Sequence, residues 1–282
     1  MHHLSSVELE TRKGWHAMAV MGSLVSKAEP VVELEAREAT SCTTDTLVPS
    51  KAYYLHHLLS PTECAAFREL LEGSGEVVEL GSSEESYRYC SRVASRQQVA
   101  VDSLWARLRG EMEALGLLEL RGMEGSDWSA VGLNELVRVV RYHPGGRFAP
   151  HCDASFTRSV VERSWWTLNI YLNTVHREAE GATILLGEAE VAVQPEEGAA
   201  LLFYQPNLLH EGSALRHGEK WLLRSDVMFR REEAPCRQEA EARRLHREAQ
   251  EREVGGQGEA AWRLYAKAFR LWPPLEQDIN LS

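Results

Sequence analysis

The sequence predicts an α+β protein with an antiparallel β core, sandwich or jelly roll, preceded by supporting helices and followed by a helical hairpin. Three observations carry this. Six short apolar β patterns follow one another between residues 136 and 229, with turn signals and no helices between them, an order that disfavours a βαβ sheet. Two stretches of helical periodicity lie before them. Two further amphipathic stretches, one heavily charged, lie after them around Gly255-Gly-Gln-Gly258.

Taken in order, residues 1–50 mix charges, Ser and Thr with little periodicity and are expected to be mostly irregular, with an edge strand around 31–34. The apolar patch 17–25 is short and lies behind a charged stretch, a poor match to a signal peptide. Residues 52–59, with Tyr53, Tyr54 and Leu55, read as a strand. Ser60-Pro-Thr-Glu63 then supplies an N-cap, a Pro at the first helical position and a Glu that can return a hydrogen bond to the cap. A helix over 61–72 follows, ended by Gly73-Ser-Gly75. Short strands are expected at 77–80 and 87–93, and Val99, Leu104, Leu108, Met112 and Leu115 predict one long helix over 95–118. A Gly-rich loop is expected over 122–132. The core strands are then expected at 136–142, 166–172, 182–186, 190–193, 199–204 and 220–229. In the tail, 239–253 and 259–272 read as two helices, with Ala261, Tyr265, Ala268 and Pro273 at the spacing of the second half of a tetratricopeptide-like pair. A single pair buries a face only by stacking, so residues 237–274 are expected to form a hairpin on the core or an appendage for a protein partner.

Composition narrows the function. A net charge of −11 argues against a general phosphate-binding surface, so nucleic acid is disfavoured as a partner. The five cysteines are scattered, odd in number and free of any CxxC pair, as expected for reduced thiols in a cytoplasmic protein. No apolar run approaches the roughly 20 residues that span a bilayer.

The chemistry gathers at Arg141-Tyr-His-Pro-Gly-Gly-Arg-Phe-Ala-Pro-His151-Cys-Asp153. In an extended chain residues i and i+2 face the same way, so His151 and Asp153 offer an imidazole and a carboxylate side by side. These are two corners of a two-His-one-carboxylate iron site. His210, in Asn207-Leu-Leu-His-Glu-Gly after a strand, supplies the third. The remaining histidines, His2, His3, His56, His57, His143, His176, His217 and His246, lie in turns or polar contexts and are read as solvated or hydrogen-bonded. Three protein ligands leave positions for a bidentate keto acid and dioxygen. The far carboxylate of such a co-substrate needs a buried cation. Alternation on 220–229 puts Lys220, Leu222, Arg224, Asp226 and Met228 on one face and Trp221, Leu223, Val227 and Phe229 on the other, so Lys220 and Arg224 are both candidates. Arg138 shares a strand face with Tyr142, where it could line the pocket, and of the two readings a surface position is the one expected.

At these residues the sequence resembles the Fe(II)/2-oxoglutarate-dependent dioxygenases, and within them the prolyl 4-hydroxylase-like branch. The supporting pattern is Tyr142-His-Pro-Gly-Gly-Arg-Phe-Ala-Pro-His-Cys-Asp, Leu168-Asn-Ile-Tyr-Leu-Asn173, Gly181-Ala-Thr183, His210-Glu-Gly and Gly218-Glu-Lys220-Trp, across roughly residues 52 to 230. The resemblance implies a double-stranded β-helix (jelly roll) over 51–232. It implies iron on His151, Asp153 and His210, and Tyr142 hydrogen-bonded to the 2-oxoglutarate carboxylate. Lys220 matches the family's usual salt-bridge position, while Leu223-Arg-Ser-Asp226 resembles a subgroup in which Arg224 takes that role; a guanidinium suits a carboxylate bidentately. The implied cofactors are Fe(II), 2-oxoglutarate and O2, with ascorbate as a candidate reductant. The implied reaction is hydroxylation of a C–H bond of a protein side chain or small molecule, with release of succinate and CO2. Two other readings are a non-catalytic oxygenase-fold module acting through its C-terminal helices and an AlkB-type nucleic-acid demethylase, the latter opposed by the acidic balance.

Overall fold

The computed structural model describes residues 30–35, 43–74, 76–83, 85–123, 126–232 and 235–275. The expectations for the apolar patch 17–25 and for His2 and His3 lie outside the described residues. In chain order, β1 (Thr44–Val48) and β2 (Ala52–Leu55) precede α1 (Pro61–Glu72), and β3 (Val78–Leu80) and β4 (Arg88–Arg96) precede α2 (Gln98–Ala114). There follow β5 (Glu119–Met123), β6 (Ser126–Leu133), β7 (Leu136–Tyr142), β8 (Arg147–His151), β9 (Thr157–Ser159) and β10 (Glu162–Tyr171). Then come β11 (Thr183–Leu185), β12 (Val191–Val193), β13 (Ala200–Tyr204), β14 (His210–Gly212) and β15 (Lys220–Arg230), with α3 (Arg237–Val254) and α4 (Gly258–Leu271) after them.

The strands pair antiparallel in the order β1-β2-β13-β10-β15-β7-β4-β8-β14-β11-β12. β4 belongs to both halves of this path. Its residues 91–96 pair with β7, and Arg88 and Tyr89 pair with β8. The result is a large sheet and a small one joined through a shared strand, the jelly-roll core expected from the sequence.

Each face has its own core. Leu55, Trp166, Leu168, Ile170, Leu202, Leu223, Val227 and Phe229 on the outer face of the large sheet pack with Phe67 of α1 and Leu104, Leu108 and Met112 of α2. The opposite face, with Tyr54, Val140, Tyr142, Tyr171, Leu201, Phe203 and Leu222, meets Leu185, Val193, Leu208 and Leu215 from the small-sheet side. This second layer surrounds the candidate site. The two faces assigned to β15 by alternation fall as expected: Trp221, Leu223, Val227 and Phe229 join the outer core and Leu222 the inner one.

Local sequence explains the elements that hold the frame. α1 starts with a complete capping box, the Ser60 hydroxyl accepting from Glu63 N and the Glu63 carboxylate accepting from Ser60 N at 2.8 Å. Between β7 and β8 the chain turns at Gly145, with φ +82°, a left-handed conformation that glycine adopts without steric cost. A Cβ on Gly146 would sit 2.7 Å from the His143 carbonyl oxygen, so the second glycine is needed for space.

Several expectations need correction. Residues 31–35 contain no strand, whereas Thr44–Val48, in the segment expected to be irregular, pairs with β2. The long helix starts at Gln98, because residues 91–96 are taken up by pairing with β7, and Val99 is exposed while Ala100 and Val101 are buried. The expected Gly-rich loop 122–132 is largely the β5–β6 hairpin. There Asp127 accepts from Gly122 N and Arg121, and Trp128 is buried, so side-chain contacts outweigh the glycines. The tail does form two helices with their own small core of Ala242, Leu245, Ala268 and Leu275.

Candidate active site

The inner face of the large sheet and the short strands opposite bring the candidate residues together. β14 lies between β8 and β11, and in its pairing with β8 His210 is the Cα partner of His151. Their rings are 4.3 Å apart between centroids. His151 Nδ1 lies 2.8 Å from Ala149 O and His210 Nδ1 lies 2.9 Å from Leu208 O, contacts that fix Nδ1–H as the donor and leave each Nε2 as the basic nitrogen. Both Nε2 atoms face one carboxylate: His151 Nε2 is 3.6 Å from Asp153 Oδ1 and His210 Nε2 is 3.9 Å from Asp153 Oδ2. The three donor atoms lie within 4.8 Å of one another, the one such cluster among the described residues.

The surroundings hold this set in its ligand forms. Burial would raise the Asp153 pKa, but Arg224 first, then the two imidazoles, outweigh it and keep the carboxyl ionised, well below its ordinary range. Arg224 Nη1 donates to Asp153 Oδ1 at 2.7 Å and the Thr167 hydroxyl donates to Oδ2 at 2.8 Å. Burial lowers the His210 pKa against the pull of Asp153, which favours the neutral imidazole. Phe148 stacks on His151 at 3.6 Å, and Phe203 packs edge-on against His210. Two imidazoles that each turn Nε2 toward an ionised carboxylate are a donor set suited to Fe(II), and outer hydrogen bonds of this kind orient metal ligands.

Lys220 and Tyr142 are Cα partners across β15 and β7, at the opposite end of the face from Arg224, which pairs with Arg138. The Lys220 ammonium is buried, 5.6 Å from the Tyr142 ring centre and 5.9 Å from that of Tyr171. It donates to neutral oxygens, Gly181 O at 2.7 Å and Thr183 Oγ1 at 3.4 Å, and burial pulls its pKa down to about 7. Tyr142, also buried, has its phenol pushed up to about 12 by burial. Arg224 sits instead at the triad, divided between Asp153 and Asp226. The structure therefore separates two cations that the sequence left as alternatives.

Other residues were missed or misread. Arg138, expected at the surface, is largely buried and reaches Asp226 Oδ2 at 3.4 Å. Arg88 lies over the Phe148 ring at 4.4 Å and acts electrostatically on Tyr142; Arg92 is on the same face of β4. Nothing in the local sequence marks either arginine, because β4 reaches the site only through its pairing with β7 and β8. Thr167 shows a weak signal, its alternation with Asn169 on β10. His56, His143 and His246 make separate local contacts with Asp45, Glu219 and Tyr265.

Residues 137–225 match the family model of the 2OG-Fe(II) oxygenase superfamily. Among solved structures, the chain is similar to the viral collagen prolyl hydroxylase of Paramecium Bursaria Chlorella virus-1 in its 2OG complex, at 18% identity and TM-score 0.48, over 64% of this chain and 96% of that one. A Pseudomonas putida prolyl-4-hydroxylase aligns at 18% identity and TM-score 0.45, over 64% and 92% of the two chains. A Trichoplax adhaerens prolyl hydroxylase, in complex with a hypoxia inducible factor peptide fragment, aligns at 15% identity and TM-score 0.47, over 63% and 83%. No curated protein matches the sequence. Tyr142, His151, Asp153, His210, Lys220 and Arg224 all fall inside the segment that matches the 2OG-Fe(II) oxygenase superfamily model.

Proposed function

We propose that this protein is an Fe(II)- and 2-oxoglutarate-dependent hydroxylase acting on a C–H bond of a protein side chain or small molecule. The observation that carries the reading is the convergence of both Nε2 atoms on the Asp153 carboxylate. When bound there, Fe(II) supplies the oxidation by O2 in which 2-oxoglutarate leaves as succinate and CO2 and the substrate gains a hydroxyl group.

The protein's own residues bind, orient and exclude water. His151, Asp153 and His210 hold the metal, with Ala149 O, Leu208 O, Thr167 and Arg224 fixing their orientation. Lys220 is the anchor for the distal carboxylate of 2-oxoglutarate, since its ammonium is buried among neutral acceptors and an anion would restore its charged form. The Tyr142 hydroxyl, kept protonated by burial, is the neighbouring donor for that carboxylate. Arg224 is a positioning residue acting through Asp153. The apolar wall of Tyr171, Leu201, Phe203 and Leu222 keeps bulk water from this end of the cavity.

The test is turnover of 2-oxoglutarate to succinate by the purified protein with Fe(II) and ascorbate. Succinate is expected from the wild type and not from His151→Ala; undiminished succinate in that variant overturns the assignment.

A further inference from the structure

The inner face of the large sheet carries more cations than the triad and 2-oxoglutarate use. Arg88 and Arg92 on β4, Arg138 on β7, and Lys220 and Arg224 on β15 share one face by alternation. In the register Arg138 is the direct partner of both Ala94 and Arg224, and Arg92 lies one pleat along, opposite Val140. Like charges placed opposite each other in a sheet repel. Two carboxylates offset them, and both are occupied. Asp226 accepts from Gln205 at 3.0 Å, from Arg224 at 3.3 Å, from Arg138 at 3.4 Å and from Asn134 at 3.5 Å. Asp153 serves the triad, Thr167 and Arg224.

Arg92 is left over. After its own burial, the strongest influences on it are Arg88 and Arg138, with Arg224 adding to them and Cys90 opposing, and its pKa falls to about 10. Its half-buried guanidinium is next to exposed Ala94, so this end of the face opens to solvent. Alongside, Asn169 and Arg224 are Cα partners across β10 and β15, and Asn169 Oδ1 and Arg224 Nε are buried with no hydrogen-bond partner among the described residues. A cationic wall with unmet polar atoms, in a chain of net charge −11, is a local departure from the acidic whole. The co-substrate's distal carboxylate does not answer it. The Lys220–Tyr142 pair lies four residues along both strands from the Arg224–Arg138 pair, about 13 Å at strand rise.

We propose that the substrate carries an oxyanion, a carboxylate or a phosphoryl group, received by Arg92 and Arg138 beside the triad. Guanidinium forks bind either group bidentately. This rests on the reading of the triad and Lys220 as the metal and 2-oxoglutarate site. Anchoring at Arg92 and Arg138 sets which part of the substrate reaches the metal, so the pair determines specificity.

The experiment is calorimetric binding to the full-length protein loaded with Mn(II) and saturated with 2-oxoglutarate. The probes are N-acetylalanine against N-acetylalaninamide, and glycerol 3-phosphate against glycerol. At least one anion should bind ten-fold or more tightly than its neutral partner, and which one identifies the source of the oxyanion. Arg92→Gln and Arg138→Gln should each remove most of that preference while the Kd of 2-oxoglutarate, measured separately, stays within about two-fold, which also shows that the variants fold. Equal or absent binding of both pairs, or a preference that survives in both variants, overturns the proposal. If the wild type fails to bind 2-oxoglutarate, the reading of the metal site fails and this inference falls with it.

Discussion

His151 and His210 are Cα partners across β8 and β14, and each imidazole turns its Nδ1 to a carbonyl two residues earlier in its own chain. The site is thus built from backbone register and two local hydrogen bonds. A metal that binds the folded form stabilises it by mass action, about 2.7 kcal/mol at a hundred-fold excess over Kd. For a chain of this size that corresponds to roughly 5–10 °C in melting temperature. Mn(II) or Fe(II) under anaerobic conditions should produce such a rise in the wild type and almost none in His210→Ala. An equal rise in both would place the metal elsewhere.

Lys220 should make 2-oxoglutarate binding pH-dependent. In the role proposed for it the ammonium form receives the carboxylate, and burial lowers its pKa to about 7 in the ligand-free protein. Above that value binding must be accompanied by proton uptake, so affinity should fall by up to ten-fold per pH unit between pH 7 and 9. Lys220→Arg should flatten the profile, because a guanidinium stays protonated, and Lys220→Met should weaken binding by roughly a hundred-fold at pH 7 and below, with the gap to the wild type closing toward pH 9. The stability linkage has a definite sign: the unfolded lysine binds more protons between about pH 7 and its ordinary value, so the ligand-free protein gains stability as pH rises through that window. Urea melts of wild type and Lys220→Met across pH 6 to 9 check it.

How much of this could be read from the sequence depends on the range of the interactions involved. α1 was legible to its boundaries because Ser60, Pro61 and Glu63 encode its start within four residues. The faces of β15 were legible because alternation is local. His151 and Asp153 declared themselves through an i, i+2 spacing. The roles of Lys220 and Arg224 were not legible, since one is fixed by its pairing with Tyr142 and the other by contact with Asp153, 71 residues away in sequence. Arg88 and Arg92 were missed for the same reason. The β5–β6 hairpin was hidden because its glycines suggested a loop while its stabilising contact, buried Trp128, depends on tertiary packing against Trp165.

The C-terminal helices begin on a buried ion pair. Arg231 donates from Nη2 to Glu239 Oε1 at 2.6 Å and from Nη1 to Oε2 at 3.0 Å, with side chains 1% and 2% exposed, and its guanidinium lies over Trp128. Removing one partner strands the other charge, a loss of about 3–5 kcal/mol for buried pairs. Glu239→Ala should therefore destabilise the protein by that order in denaturant melts. Replacing both partners, with Arg231→Met and Glu239→Leu, should cost much less, because the buried guanidinium of Arg231 is then removed together with its carboxylate, while the contact of Arg243 with Glu239 is lost in the single and the double variant alike. Equal losses in the single and double variants would show that packing, not charge, holds this junction.

Glu63 links the cap of α1 to α2 and predicts a specific acid sensitivity. Its carboxylate accepts from Arg107 Nη2 at 2.7 Å, Arg107 Nη1 at 3.0 Å, Ser60 N at 2.8 Å and Glu35 N at 2.9 Å. Burial would raise its pKa, but these donors outweigh it and bring the value down to about 2. Because the folded value lies below the unfolded one, the contribution is fully present above about pH 4.5 and is lost as pH falls toward 2. It amounts to about 2 kcal/mol after allowance for solvent screening. Glu63→Gln should lower stability by that order at pH 7, and the gap to the wild type should narrow steadily in urea melts as pH falls from 4.5 toward 2. A gap that stays constant across this range would assign the effect to the shape of the capping box instead of to the charge on Glu63.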